Sequence, residues 1–220
     1  SANFRAISRI INCSSENNVL MGSTFGLSQV WVREFPVSPV MSMQQIRSEY
    51  VIAPASPGDI ERLIEVDLAA GQLFAPTGLL SDDALDDHVP EAVMLQAIEA
   101  GDLLKTSAPD GTPVGFALVS PRGGTLYLDQ ISMHPDCGGK GLGTDMMRHV
   151  LQLAKQRRLK QVTLSTFRDV PWNGPFYRKL GFREIPRKDL AAWMLDLERI
   201  QAESLDVSQR CFMVRKIGWL

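Results

Sequence analysis

Cysteine is scarce in this chain: Cys13, Cys137 and Cys211 are the three in 220 residues. An odd, widely spaced set supplies neither a disulfide framework nor a metal cluster. Free thiols in a reducing cytoplasm are the expectation, with no metal. No apolar run reaches the ~20 residues needed to cross a bilayer, so no membrane partner is expected. Neither sign of charge dominates: 23 Lys and Arg against 25 Asp and Glu leave a formal net charge of −2. That balance offers no basic footprint for nucleic acid. Internal repeats and low-complexity tracts are also absent. What is present is a 45% hydrophobic, 22% charged sequence, long enough to bury a core.

Residues 1–48 stand apart as an N-terminal extension outside the core. They are rich in Ser and Asn and show no sustained period. Arg5 and Arg9 precede the first acid, Glu16, a weak likeness to an organelle transit peptide. An extension, or sequence upstream of a start at Met41 or Met43, is the preferred reading. Residues 49–220 hold the domain. Tyr50-Val51-Ile52 is a short strand. Ser56-Pro57-Gly58-Asp59 then carries a capping residue, a first-turn proline and a first-turn acid. Ile60, Leu63, Ile64 and Leu68 follow at helical spacing. A second helical stretch runs from Pro90 to Gly101. Strands Leu103 to Ser107, Val114 to Val119 and Leu126 to Met133 are separated by turn residues, which predicts an antiparallel meander. After the glycine-rich run at 138–143 come a helix, the strand at 162–164, the helix Pro175 to Leu180, the strand at 182–185, another helix and the strand Cys211 to Ile217. This order is that of one mixed α/β domain.

The run His134-Pro135-Asp136-Cys137-Gly138-Gly139-Lys140-Gly141-Leu142-Gly143-Thr144 lies between a strand and a helix. Glycine permits positive φ and close approach of the backbone to a ligand. The first amides of a helix lack internal partners and sit at the positive end of its dipole, so they attract phosphate. The run is not a Walker loop, because Lys140 is followed by Gly141. It is not a dinucleotide loop either, since the glycine spacing and the preceding meander both fail that pattern. Taken alone, it marks an anion site or a flexible turn.

The wider context resembles the GNAT superfamily of acetyl-CoA-dependent N-acetyltransferases. The resemblance rests on Leu128-Asp129-Gln130-Ile131-Ser132-Met133-His134-Pro135, on the glycine run, and on Asn173-Gly174-Pro175-Phe176-Tyr177-Arg178-Lys179-Leu180-Gly181-Phe182. It implies a central, mostly antiparallel sheet splayed at the acetyl-CoA site, with helices on both faces. It also implies that the backbone of Ile131, Ser132 and Met133 pairs with the pantetheine arm. The loop Gly138, Gly139, Lys140, Gly141, Leu142, Gly143 and Thr144 would then hold the pyrophosphate. Asn173 matches an asparagine that bonds the CoA arm, and Tyr177 matches the tyrosine before Gly-Phe. The chain departs from the family pattern at Gly138, where relatives carry Gln or Arg.

Acetyl transfer needs a neutral amine, a donor for the oxyanion and an acid for the leaving thiolate. Tyr177 is the candidate acid. Asp129 is the candidate base, direct or through water, because the stretch around Ser165 lacks the glutamate some relatives place there. Glu65 and Asp67 could meet a cationic substrate. The loop 72–77, Trp172, Asp82 and Asp83 could border the acceptor pocket, and Arg168 or Lys179 could meet the CoA 3′-phosphate. The expectation is a cytoplasmic enzyme acting on acetyl-CoA and a primary amine. The alternative is a non-catalytic acyl-CoA-binding or sensing domain. Whether two copies pair is open in the sequence.

Overall fold

The computed structural model describes residues 49–218; the expected extension over residues 1–48, Cys13 included, lies outside the described residues. Strand β1 (Val51–Pro54) leads through a 3₁₀ turn into helix α1 (Ile60–Gly71). The entry is fixed by Ser56, whose amide and hydroxyl both donate to Asp59 Oδ2 at 2.7 Å. A second 3₁₀ turn (Gln72–Thr77), the single turn α2 (Asp82–Leu85) and helix α3 (Glu91–Ala100) follow. Strands β2 (Leu103–Ser107), β3 (Pro113–Arg122) and β4 (Thr125–Met133) form the meander. Then come α4 (Leu142–Gln156), β5 (Gln161–Phe167), α5 (Gly174–Lys179), the two-residue β6 (Arg183–Glu184), α6 (Ala192–Gln201) and β7 (Arg210–Lys216).

The seven strands form one sheet in the order β1-β2-β3-β4-β5-β7-β6, antiparallel except where β4 meets β5. Helices cover both faces, because apolar residues are supplied to both. Leu126, Leu128, Ile131 and Met133 of β4 pack with Met146, Val150 and Tyr177 on one face. Phe116 and Leu118 of β3 pack with Leu63, Val66 and Met94 on the other, and Tyr127 packs there with Met194 and Leu197 of α6. Each fully buried side chain of this size contributes about 1.5–3 kcal/mol by leaving water.

Two irregularities position the site. Leu118 pairs with Gln130 but Val119 pairs with Leu128, so Asp129 is an extra residue in β4, a β-bulge. The bulge shifts the inward phase by one, which is why Leu128 and Ile131 share a face although three residues apart. The β4–β5 pairing is also confined to Leu126–Leu128 against Val162–Leu164. Beyond that point β4 stays paired to β3, and β5 stays paired to β7 through Phe167. The two halves of the sheet therefore diverge, leaving a gap between Asp129–Met133 and Ser165–Phe167.

Candidate active site

The edge of β4 that faces the gap carries free backbone groups. His134 donates its amide to Val114 of β3 at 2.8 Å. Amide direction alternates along a strand, so Met133 and Ile131 point theirs the other way, into the gap. Their side chains are buried in the core under α4, so the backbone remains available.

The chain then turns through Gly138–Gly141 into α4. Gly139 (φ 72°) and Gly141 (φ 76°) hold the left-handed conformation that disfavours other residues. The amide of Gly138 donates to Pro135, and that of Thr144 donates to Gly141 at 3.1 Å. Between them, the amides of Gly139, Lys140, Gly141, Leu142 and Gly143 have no hydrogen-bond partner among the described residues. The free run is thus shorter at both ends than the predicted loop. The Lys140 side chain turns back, donating to Tyr50 Oη at 3.1 Å with its ammonium 5.6 Å from the ring centre.

Helix α5 borders the same face. Gly174 lets it approach β5: a Cβ there would lie 2.2 Å from the Arg168 carbonyl oxygen. Asn173, fully buried, accepts a 2.7 Å hydrogen bond from Thr166 at Oδ1, while its Nδ2 has no partner among the described residues. Tyr177 is also fully buried; its ring packs edge-on against Phe176 and Phe182, and its hydroxyl has no hydrogen-bond partner among the described residues. Burial alone pushes its phenol well above the usual range, so it stays protonated. The structure therefore brings together, on one face, the loop amides, the β4 edge, Asn173 and Tyr177.

Asp129 lies on the opposite face. Its carboxylate accepts from Ser120 at 2.6 Å and from Arg122 at 2.8 Å, both on β3. Desolvation is the chief cause that raises its carboxyl to about 6, against the opposing pull of Arg122 and Ser120. Asp67 is likewise not a surface acid. It is 1% exposed and accepts from Gln130 at 2.7 Å, Ser132 at 2.6 Å and the Val89 amide at 3.0 Å, tying α1 to β4. Glu65 is exposed and bridges to Arg62. Phe74 is fully buried, with its ring 5.3 Å from Phe167 and 5.8 Å from Trp172, so the loop at 72–77 plugs a core cluster. Asp82 and Asp83 are exposed. Arg168 is bridged to Glu184 at 3.0 Å on the face opposite Tyr177. Among the described residues, no helix is long and apolar enough to cross a membrane.

Residues 83–182 match the family model described as Acetyltransferase (GNAT) family. The chain carries a GNAT-family domain. N-acetyltransferase ycf52 of Porphyra purpurea is 36% identical over 74 residues, 33% of this chain and 41% of that protein. The matched stretch is thus under half the length of that curated relative. Among solved structures, the PaiA N-acetyltransferase of Thermoplasma acidophilum, in complex with coenzyme A, aligns with a TM-score of 0.59. Its identity is 19%, over 76% of this chain and 98% of that one. The N-acetylglutamate synthase of Neisseria gonorrhoeae, complexed with coenzyme A and N-acetyl-glutamate, aligns at 0.54. There the identity is 14%, over 77% of this chain and 35% of that one. These likenesses establish the GNAT fold, and with it the mixed sheet expected from the sequence. The Asp129 bulge and the buried Asp67 are features of this GNAT domain that sequence reasoning missed. The first had a signal, the phase slip from Leu126 and Leu128 to Ile131 and Met133.

Proposed function

We propose that this chain is an N-acetyltransferase that moves an acetyl group from acetyl-CoA to a primary amine by direct attack in a ternary complex. The observation that carries the reading is the run of five partnerless amides, Gly139 to Gly143, at the start of α4 beside the gap between β4 and β5. Such a cradle suits a pyrophosphate. The strand edge at Ile131 and Met133 suits an arm with two amides, bound as an added strand would be. Asn173 Nδ2 and Tyr177 Oη, without a hydrogen-bond partner among the described residues, are buried polar atoms of the kind a ligand satisfies.

On this reading the amine nitrogen attacks the thioester carbonyl carbon. An amide of Ile131 or Met133 donates to the developing oxyanion. The C–S bond breaks, and Tyr177 gives its proton to the departing sulfur. Asp129 takes the amine proton through water; its carboxyl, held at about 6, stands where the sheet begins to splay. Asp67 positions Gln130 and Ser132 from behind.

A non-catalytic acyl-CoA-binding domain is the second reading. It is favoured by Gly138, by the absence of an acid at Ser165, and by the bonds that turn Asp129 toward β3. Incubation of the protein with acetyl-CoA and a panel of amines, followed by measurement of free thiol, separates the two. Amine-dependent thiol release supports the enzyme, and tight CoA binding without release for any amine supports the binding domain. If ATP or NAD raises the melting temperature and acetyl-CoA does not, both readings fall.

A further inference from the structure

On the face of the sheet opposite Tyr177, a cavity of about 290 Å³ lies among β5, β7, α6 and the β6 hairpin. Its size is at the small end of the range for ligand pockets. No residue of β4 lines it, so it is a site in its own right, apart from the gap. Thr166 reaches toward Asn173 on the α5 face, and alternation turns Ser165 the other way, onto Gln201 of α6.

Much of the wall is apolar, with Ile185, Leu190, Val207 and Phe212. Cys211 adds a neutral thiol, since burial pushes it up to about 11. At the rim, Arg168 is bridged to Glu184 at 3.0 Å and Arg187 to Glu198 at 2.7 Å. Arg210 is held in the wall, donating to the Ser165 carbonyl and hydroxyl oxygens at 3.2 Å and lying against the Phe167 ring. Gln201 supplies a buried donor. It is 3% exposed; its Oε1 accepts from Ser165 at 3.1 Å, while its Nε2 has no partner among the described residues. A buried amide donor of this kind is what a ligand oxygen satisfies. Glu198 lies three residues earlier on α6, on the same side of the helix. Its Oε2 accepts from Arg187, which leaves Oε1 as an acceptor beside the Gln201 donor.

We infer that this cavity binds a small secondary amide with an apolar N-substituent. The ligand carbonyl accepts from Gln201 Nε2, its N–H donates to Glu198 Oε1, and its carbon chain lies against Leu190, Val207 and Phe212. Rim charges closed into pairs suit a neutral ligand. The inference rests on the acetyl-transfer reading only for the origin of that ligand. Acetylation of a primary amine on an apolar chain yields an amide of this class, and the cavity then senses the product away from the gap.

The test is calorimetry and thermal denaturation of the full chain with N-isobutylacetamide, in the absence of acetyl-CoA. A Kd of about 1 mM or tighter is expected for a ligand of this size. Isobutyl acetate, which keeps the carbonyl and lacks the N–H, is expected to bind about 5- to 10-fold more weakly. Gln201→Glu keeps an oxygen for Ser165 and replaces the donor with a second one that repels the carbonyl, so binding is expected to fall at least about tenfold. Gln201→Met removes the donor without adding charge and is expected to do the same. Val207→Phe fills the cavity with Gln201 intact and is expected to abolish binding. Melting curves of the ligand-free variants confirm folding. No binding of N-isobutylacetamide at millimolar concentration, or equal binding by the parent and all three variants, overturns the site and leaves acetyl transfer standing. Binding that these variants abolish, with no thiol release from any amine, retains the site and overturns acetyl transfer as the source of its ligand.

Discussion

Replacing Tyr177 with phenylalanine separates stability from turnover. The ring is fully buried and packs edge-on between Phe176 and Phe182, at centroid distances of 5.0 and 5.5 Å. Phenylalanine keeps those contacts. What it removes is a hydroxyl that is desolvated and has no hydrogen-bond partner among the described residues. A buried polar group left unsatisfied costs about 1–3 kcal/mol, so the ligand-free variant gains stability of that order. For a chain of this size the gain corresponds to a melting rise of about 2–4 °C per kcal/mol. Turnover moves in the opposite sense. Loss of a positioned general acid lowers kcat by about 100-fold or more, while CoA affinity falls by less than about tenfold, because the loop and strand amides still bind. The assays are thermal denaturation with and without CoA, calorimetric CoA binding and thiol release. Unchanged turnover removes Tyr177 from the mechanism. A ligand-free Tyr177→Phe less stable than the parent shows that the hydroxyl is satisfied in the folded chain and refutes the premise.

Other substitutions test neighbouring parts of the argument. Gly138 has φ −59° and ψ 151°, an extended conformation open to any residue. Gly138→Arg is therefore expected to fold normally and to tighten CoA binding about 2- to 10-fold by adding a donor beside the cradle; calorimetry showing weaker binding contradicts this. Gly174→Ala places a methyl 2.2 Å from the Arg168 carbonyl oxygen. It should cost about 1–3 kcal/mol in urea denaturation, because backbone must move to admit it, and a neutral result would disprove the close approach. Asp129 gives a pH signature. Its folded carboxyl titrates at about 6 against 3.8 unfolded, so the stability linked to its proton is present below pH ~4 and lost as the pH rises through about 6. The loss amounts to at most about 3 kcal/mol. Asp129→Asn cannot ionise, so its stability relative to the parent should climb between pH 4 and 7; a relative fall over that window, measured by urea melts, would reverse the assignment.

Much of the fold was legible because turn chemistry marks its joints. Pro90 and Gly101 bracket α3, and Pro109-Asp110-Gly111 separates β2 from β3, as the sequence predicts. The end of β3 was misplaced for a local reason. Pro121 looks like a turn residue, yet the strand runs on to Arg122, because Gly123 and Gly124 alone, both at positive φ, make the turn. Helical spacing identified α1 and part of its inward face, since Ile60 and Leu63 are buried. Ile64 and Leu68 are half-buried, while Val66 and Asp67 are buried, since the helix rotates to bring the Asp67 carboxylate onto Gln130 and Ser132. No window of sequence around Asp67 holds those partners, which lie more than sixty residues away. The same holds for the cavity behind β5, where Ser165, Gln201 and Arg210 meet only through the fold. The glycine run, by contrast, is local: its free amides lie in the backbone of consecutive residues.

The short β4–β5 pairing has a dynamic counterpart. Only three residues of each strand join the halves of the sheet, so the halves are coupled through a narrow isthmus with exchangeable amides on the β4 edge just beyond it. On the proposed function, a ligand in the gap would act as a guest strand, completing the ladder that the chain leaves unfinished. Occupancy then becomes readable without crystals or turnover. Amide exchange with deuterium at Ile131 and Met133 slows when the gap is filled, whereas amides engaged on β3, such as that of His134, keep the protection they have in the empty protein.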